Sequence, residues 1–322
     1  MNGPERVLAM PITMMFAADQ IGVPYGRYAL DHRVLVEAQL RMADQFRFDH
    51  VSAITETREA PDCGAAVQYF DDQPYAIDER NSLLEDKAAL ARLHPPEPSE
   101  GRFMGDRLQA LELLRRRAGA ERIVEGWVEG PCQAAADLRG INRLMLDFSD
   151  DPDFVRDLFE FVLDLALRFA RAQIDAGAVQ IGIGDPASSL IGPRLYEAFV
   201  LPFQKRLVGG IHAAGGRVRL HICGNTRRIL AHVGQLGCDI VDIDSMVPLG
   251  EARKAMGTEQ VLAGGIDPVR VLQRGTPDEV RAAVARCLQD AGPRYIIAGG
   301  CEIPRGTPDE NLRALTASGH SR

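Results

Sequence analysis

The chain has few cysteines, no long apolar run and no excess of basic charge. Each of these absences argues against one class of protein: disulfide scaffolds, membrane-spanning proteins and non-specific nucleic-acid binders. Six cysteines in 322 residues are too few for a scaffold held by disulfides, and a chain of this length buries an adequate core without them. Lysine and arginine number 37 against 45 aspartates and glutamates, which gives a net charge of −8 and argues against non-specific nucleic-acid binding. We therefore expect the cysteines to be thiols or metal ligands, and we expect no nucleic-acid partner.

No stretch of the sequence approaches the run of about 18 apolar residues that a transmembrane helix requires. The first residues, MNGPERVLAMPITMM, lack the apolar core and the small-residue cleavage site of a signal peptide. Internal repeats of roughly 20–50 residues are also absent. These features predict a cytoplasmic globular protein with no membrane partner.

Short apolar runs rich in valine and isoleucine recur along the chain, and helical patterns follow them. Such runs are typical of parallel strands that are buried on both faces. Among the helical segments, 150–177 begins with Asp and Pro and ends in Gly, 276–292 opens with a capping-box spacing, and 192–215 is a third. The predicted strands are 8–15, 50–55, 123–130, 179–185, 217–224, 240–245, 261–267 and 295–301.

Eight strands that alternate with helices predict an α/β fold, a (β/α)₈ TIM barrel in which residues 1–322 form one domain. The alternative is an open doubly wound sheet, which would carry a glycine-rich phosphate-binding turn after its first strand. The sequence FAADQIGVPYG stands there instead. Residues 56–122 are too long for a simple connection, and we interpret them as an insertion or an elaborated crossover.

Polar side chains cluster where the predicted strands end, at the barrel face that carries active sites in this fold. A buried carboxylate or imidazole is costly without a partner, so their concentration at one rim indicates a shared polar site. The alternative for each residue is that it caps the helix that follows, which suits Asp267 before Pro268 well. The rim residues are Glu129, Cys132, Asp185, His221, Cys223, Asp242, Asp244, Asp267, Cys301 and Glu302.

The sharpest local signal is HICGN at 221–225. His221 and Cys223 are two residues apart on a strand, so their side chains point to the same side and can reach one metal ion. A third soft donor, Cys301, lies in GGCEIP after the last strand. One histidine and two cysteines would leave a tetrahedral zinc one open position, as in catalytic sites. The alternative is that the cysteines pack as small hydrophobic residues.

The motifs HICGNT, VDIDS, AGGIDP and GGCEIPRGTPDEN together resemble the uroporphyrinogen decarboxylase superfamily. The earlier EGPCQAAADLRG and IGDPASSLIGPRLYEAFVLPFQKRL fit the same pattern, and the resemblance is strong over residues 120–315. The superfamily fold is the (β/α)₈ barrel. Its metal-free decarboxylases carry an RQAGRY-like motif, whereas FAADQIGVPYGRYALD keeps Arg27 and Tyr28 but lacks the arginine–glutamine pair ahead of them.

A second branch of the superfamily contains zinc methyltransferases that take a methyl group from a corrinoid protein. Their His-x-Cys pair and distant cysteine match His221, Cys223 and Cys301. The resemblance implies a methyltransferase that binds Zn²⁺ and moves a methyl group to a thiol or to tetrahydrofolate. The methylcobamide is expected on a partner corrinoid protein, because no DxHxxG-type cobamide-binding motif is present.

The resemblance also implies roles for the other rim residues. Glu129 and Asp185 would orient the acceptor or take a proton, and Asp244 would hydrogen-bond the ring of His221. Further residues around the ligands or the substrate would be Asp267, Asn225 and Cys132. Two other functions compete: a decarboxylase of the uroporphyrinogen type, and a non-catalytic zinc-binding barrel that docks to a corrinoid protein.

Overall fold

The computed structural model describes residues 6–319, and a ring of parallel strands organises them. Seven strands form one sheet in the order β1-β4-β5-β6-β7-β8-β9, while β2 and β3 pair separately as an antiparallel hairpin. The strands are β1 (His50–Ser52), β2 (Val67–Gln68), β3 (Ala76–Ile77), β4 (Ile123–Glu129), β5 (Gln180–Gly184), β6 (Arg217–His221), β7 (Ile240–Ile243), β8 (Val261–Gly264) and β9 (Tyr295–Ile296).

A short segment around Ala9 closes the ring between β9 and β1. Ala9 bridges Ile297 in parallel; the carbonyl of Ala9 also accepts a hydrogen bond of 3.0 Å from the backbone N–H of Asp49. The strand predicted over 8–15 is therefore reduced to this bridge, because Pro11 has no N–H with which to continue a ladder. The fold is a (β/α)₈ barrel, as predicted, with the bridge in the eighth position.

Helices follow the strands and cover the outside of the barrel. None of those within residues 6–319 has the length and apolarity that a membrane span requires. The α-helices are α1 (Met15–Gln20), α2 (Tyr25–Leu30), α3 (His32–Phe46), α4 (Glu59–Asp62), α5 (Arg102–Ala118), α6 (Pro131–Arg139), α7 (Ile141–Asp150), α8 (Pro152–Asp175), α9 (Pro193–Leu195), α10 (Leu201–Ala213), α11 (Leu230–Val233), α12 (Leu249–Met256), α13 (Pro277–Ala291) and α14 (Asp309–Ala317). Short 3₁₀ helices span Glu79–Asn81, Lys87–Arg92 and Pro186–Leu190, and π-helical turns span Tyr196–Val200 and Pro268–Gln273.

The helix boundaries show which sequence signals acted. Asp151 caps α8, and Thr276 with Glu279 forms the predicted capping box of α13. The single helix expected over 192–215 is instead divided into α9, a π-helical turn and α10. Pro202 explains the division, because it has no N–H for the carbonyl four residues earlier.

The chain between β1 and β4 is one crossover, because these two strands are neighbours in the sheet. It carries α4, the β2–β3 hairpin, two 3₁₀ helices and α5. Helix α5 packs against α3 and β4, the position that a barrel helix takes. The hairpin and the short helices thus lie after the C-terminal end of β1, on the side of the barrel where the predicted site residues stand.

Candidate metal centre and its surroundings

The three predicted metal ligands converge at the C-terminal rim of the barrel. His221 is the last residue of β6, Cys223 follows it, and Cys301 comes after β9. His221 Nε2 lies 2.9 Å from Cys223 Sγ and 3.8 Å from Cys301 Sγ, and the two sulfurs are 3.5 Å apart. One imidazole and two thiols therefore face a common point.

The chemistry of this donor set fits zinc. Zinc binds histidine nitrogen at about 2.0–2.1 Å and thiolate sulfur at about 2.3 Å, so its tetrahedral ligands stand roughly 3.6–3.8 Å from one another. The separations of 3.5 Å between the sulfurs and 3.8 Å between His221 Nε2 and Cys301 Sγ are close to these values, whereas His221 Nε2 and Cys223 Sγ stand at a hydrogen-bond distance of 2.9 Å. The hydrogen bond between the two thiols lowers the pKa of Cys301 and raises the pKa of Cys223, so this pair favours one thiolate, at Cys301. Three protein donors leave one position for a further ligand.

Two glycines allow the loops to place the cysteines, although β6 and β9 are not neighbouring strands. Gly224, beside Cys223, has a φ of 88°, a conformation that costs other residues strain. Gly300, beside Cys301, packs so tightly that an added Cβ would lie 2.5 Å from the backbone nitrogen of Ser245. The second glycine thus allows the loop after β9 to cross the end of β7 toward β6.

A carboxylate orients the ring of His221, and it belongs to Asp242. The ring Nδ1–H donates to Asp242 Oδ2 at 3.0 Å, which leaves Nε2 directed at the two sulfurs. The prediction that Asp244 holds this ring is wrong. His221 and Asp242 are register partners on adjacent strands, so their side chains stand next to each other. Asp244 lies beyond the end of β7 and accepts hydrogen bonds from the backbone N–H groups of Gly224 and Met246.

A buried arginine supports Asp242 from inside the barrel. Arg219, fully buried, donates from Nε to both oxygens of Asp242 at 3.0 Å and from a terminal nitrogen to Glu125 at 3.3 Å. Burial by itself would raise the pKa of Asp242, but the Arg219 guanidinium and the His221 ring hold it below its ordinary value. The sequence analysis missed Arg219; the signal was a charged residue inside a strand predicted to be buried on both faces.

Asp185 is fully buried and tied to the structure around it. Its Oδ1 accepts the backbone N–H of Gln133 at 2.7 Å, in the first turn of α6, and its Oδ2 accepts Gln204 Nε2 at 2.7 Å. Burial raises its pKa to about 6, although these hydrogen bonds act in the opposite direction. The contacts show a residue that anchors α6 and α10, and the catalytic role assigned to Asp185 stays a prediction.

Glu129 ends β4 beside a second carboxylate and one guanidinium. Its backbone N–H donates to Glu59 at 2.9 Å, and its side chain lies 3.6 Å from Arg58. Burial and the charge of Glu59 raise the pKa of Glu129 well above its ordinary value. A carboxyl whose pKa is raised holds its proton more readily, which suits proton transfer, and this role also stays a prediction.

The remaining predicted residues lie near the site without joining the ligand cluster. Asp267 caps the π-helical turn after β8, since it accepts hydrogen bonds from the backbone N–H groups of Val269 and Arg270. This is the helix-capping role that the sequence analysis gave as the alternative for Asp267. Asn225 is exposed and accepts the N–H of Arg227. Cys132 is completely buried in α6.

Comparison with known proteins places the chain in a family. The family model described as uroporphyrinogen decarboxylase (URO-D) matches residues 4–322. The chain belongs to the uroporphyrinogen decarboxylase family. This match confirms the family resemblance identified from the sequence motifs.

Relatives within the family carry two kinds of name. A protein named methylcobamide:CoM methyltransferase from Methanosarcina mazei is 34% identical over 81% of this chain and 76% of its own length. A protein named uroporphyrinogen decarboxylase from Gloeobacter violaceus is 29% identical over 63% of this chain and 60% of its own length. The methyltransferase matches at higher identity and over more of both chains.

A solved structure shares the complete fold. It is described as a methyltransferase from Methanosarcina mazei, and it superposes with a TM-score of 0.85 over 99% of this chain and 95% of its own. The two sequences are 20% identical, so this likeness supports the barrel architecture and no finer assignment.

Proposed function

We propose that the protein is a zinc-dependent methyltransferase that moves a methyl group from a corrinoid, carried by a partner protein, to a thiol. The observation that supports this proposal most directly is the convergence of His221, Cys223 and Cys301 at the barrel mouth, with ligand atoms within 4.8 Å of one another. The name of the Methanosarcina relative supplies the donor and the acceptor class. Zinc, when bound by these residues, would lower the pKa of an acceptor thiol and hold its thiolate.

The chain's own residues prepare this chemistry before any substrate arrives. The Asp242 carboxylate fixes the ring of His221 with Nε2 toward the sulfurs, and Arg219 fixes that carboxylate in turn. Asp244 holds the loop of Cys223 through the N–H of Gly224. Because these ligands are already held in place, the site would lose little conformational entropy when it binds zinc. The ligand atoms would also keep one orientation during methyl transfer.

The transfer balances without an added oxidant or reductant. The acceptor thiol loses its proton to solvent, and a lone pair of the resulting thiolate forms the new sulfur–carbon bond. The cobalt–carbon bond of the methylated corrinoid substrate breaks, and both of its electrons stay on cobalt. Cleavage of the cobalt–carbon bond therefore depends on the chemistry of the corrinoid. The role of the protein is to position the acceptor sulfur and to exclude water.

Metal content and ligand variants test the zinc assignment. We expect about one zinc per chain by elemental analysis, and loss of most of it in Cys301→Ser. Cys63→Ser is the matched control, because Cys63 has similar partial exposure and does not belong to the ligand cluster. Equal zinc in both variants would contradict the assignment.

A transfer assay tests the reaction itself. Zinc-loaded protein is incubated with methylcobalamin under argon, together with thiols or tetrahydrofolate, and methylated products are quantified by mass spectrometry. We expect a methyl thioether from at least one thiol and none with Cys301→Ser. If tetrahydrofolate is methylated and no thiol is, the acceptor is a folate and the proposed thiol acceptor is wrong. Decarboxylation of uroporphyrinogen by the metal-free protein, or zinc binding without any turnover, would reject the proposal in favour of a decarboxylase or a docking module.

A further inference from the structure

Cys223 and Cys301 form a close pair of sulfur atoms as well as two of the candidate metal ligands. Their sulfurs lie 3.5 Å apart, although the two residues are 78 positions apart in the chain. All six cysteines lie within the described range 6–319, and no other two of them have sulfurs in contact there. The fold therefore singles out one pair of thiols that a covalent bond can join.

Small molecules can reach this pair from the barrel mouth. Both cysteines are partly exposed, and Cys223 also lines a cavity of about 400 Å³. Buried thiols are inert, whereas oxidation-sensitive ones are accessible and stand next to a second thiol that reacts with the oxidised sulfur. Cys223 and Cys301 meet both conditions.

The loop of Cys223 has room for the two sulfurs to approach each other. A disulfide requires sulfurs about 2.05 Å apart, so the pair must close by about 1.5 Å. A Cβ added at Gly224 would meet only the side chain of Ser189, at 3.4 Å, so the chain beside Cys223 is loosely packed on that side. Gly300, in contrast, packs tightly against the backbone of Ser245 and fixes the loop of Cys301. The movement therefore falls to the side chain of Cys223.

We infer that Cys223 and Cys301 are a reversible redox switch, in which a peroxide oxidises the pair to a disulfide, releases the metal ion and stops methyl transfer. This inference rests on the proposed function and adds its regulation. One thiolate attacks a peroxide oxygen, the oxygen–oxygen bond breaks, hydroxide leaves, and the sulfur becomes a sulfenic acid. The second thiolate attacks that sulfur, the sulfur–sulfur bond forms, and the sulfur–oxygen bond breaks with loss of a second hydroxide. The two cysteines lose two electrons, and the peroxide gains them.

Oxidation removes two of the three donors from the candidate metal centre. A zinc ligand must be a thiolate, and a sulfur in a disulfide no longer carries that charge. His221, whose ring Asp242 orients, would remain as a single nitrogen donor, which is too few for a zinc site. A dithiol reductant restores both thiolates, so this loss is reversible, whereas oxidation to a sulfinic acid is not.

Peroxide titration of the zinc-loaded protein tests the switch. Hydrogen peroxide is added in stoichiometric steps, free thiols are alkylated with iodoacetamide, and tryptic peptides are analysed by mass spectrometry. We expect peptides 220–227 and 295–305 to be joined by a disulfide that forms about ten-fold or more faster than Cys63 is oxidised, because the second thiol is already in place. A colorimetric chelator should detect about one zinc released per disulfide, and dithiothreitol with added zinc should restore the bound metal.

Cysteine variants supply the controls. Cys63→Ser removes the other partly exposed thiol and should form the same disulfide at the wild-type rate. Cys223→Ser lacks the second thiol, so peroxide should carry Cys301 to a sulfinic acid that dithiothreitol does not reverse. A wild-type protein that forms sulfinic acid without the joined peptides, or a disulfide that leaves zinc bound, would overturn the inference.

The metal-free protein separates this inference from the proposed function. Its disulfide requires neither zinc nor a methyl donor, so it is measured by mass spectrometry whether or not methyl transfer occurs. If the protein methylates thiols but forms no Cys223–Cys301 disulfide, the switch is rejected and the proposed function stands. If the disulfide forms and is reversed by dithiothreitol, yet no zinc binds and no thiol is methylated, the proposed function fails and the redox pair is supported.

Discussion

Replacing Arg219 with methionine tests whether the interior of the barrel holds the metal ligands in place. The substitution keeps most of the length of the side chain and removes its charge. Asp242 and Glu125, which face Arg219 at 3.0 and 3.3 Å, would be left as buried carboxylates without their cation. The Asp242 carboxylate orients the ring of His221, and without Arg219 that carboxylate would no longer be held in place.

The expected cost follows from burial. Removal of one partner from a buried ion pair typically costs about 3–5 kcal/mol, because the other charge stays buried and uncompensated. Arg219 and both of its partners are essentially inaccessible to solvent, so the upper half of that range applies. The total stability of a domain is about 5–15 kcal/mol, and Arg219→Met should therefore unfold at markedly lower urea concentration.

Urea unfolding followed by circular dichroism measures this cost on the metal-free proteins. Arg206→Met is the matched control, because Arg206 pairs with Glu160 on the surface, where both side chains are about half exposed. Such a pair contributes about 1 kcal/mol or less. A loss in Arg219→Met no larger than that of the control would refute the view that Asp242 and Glu125 depend on Arg219.

Three further predictions concern the site and its pH dependence. Asp242→Asn keeps the size of the side chain but removes the charge that orients His221, so the zinc dissociation constant should rise about 10–100-fold in a competitive chelator titration. Gly300→Ala brings a Cβ to 2.5 Å from a backbone nitrogen, and the resulting shift of the loop should reduce zinc content. Asp147 accepts a hydrogen bond from Arg139 at 2.7 Å; burial opposes its ionisation, but Arg139 and Lys87 hold its pKa below the ordinary value. The ionised form therefore stabilises the fold above about pH 4, and Asp147→Asn should cost about 2 kcal/mol at pH 7 and less as the pH falls toward 3.

Each of these predictions has a control or a contrary outcome. Gly192→Ala is the control for Gly300→Ala. An added Cβ at Gly192 meets nothing within 4 Å, so this variant should keep its zinc content. Unaltered zinc affinity in Asp242→Asn would show that the ring of His221 is held by packing alone. A stability difference for Asp147→Asn that is constant between pH 7 and pH 3, measured by urea unfolding, would contradict the charge-based explanation.

Local signals predicted the elements that are governed by short-range physics. The capping box of α13 and the Asp cap of α8 appear where the sequence placed them, because a cap depends on residues within one turn. The strand over 8–15 and the unbroken helix over 192–215 were wrong in extent. In both cases a proline, Pro11 or Pro202, removed a backbone donor that the hydrophobic pattern does not report.

The sequence by itself determined the barrel class, the family and the residue types available for a metal, since strand–helix alternation and motif order are properties of the chain alone. Only the tertiary structure decided which groups meet. It placed Asp242 rather than Asp244 on His221, because parallel register sets neighbours across strands. It also set the sulfurs of Cys223 and Cys301 3.5 Å apart. Contacts between distant segments depend on register and on loop packing, and neither follows from local pattern.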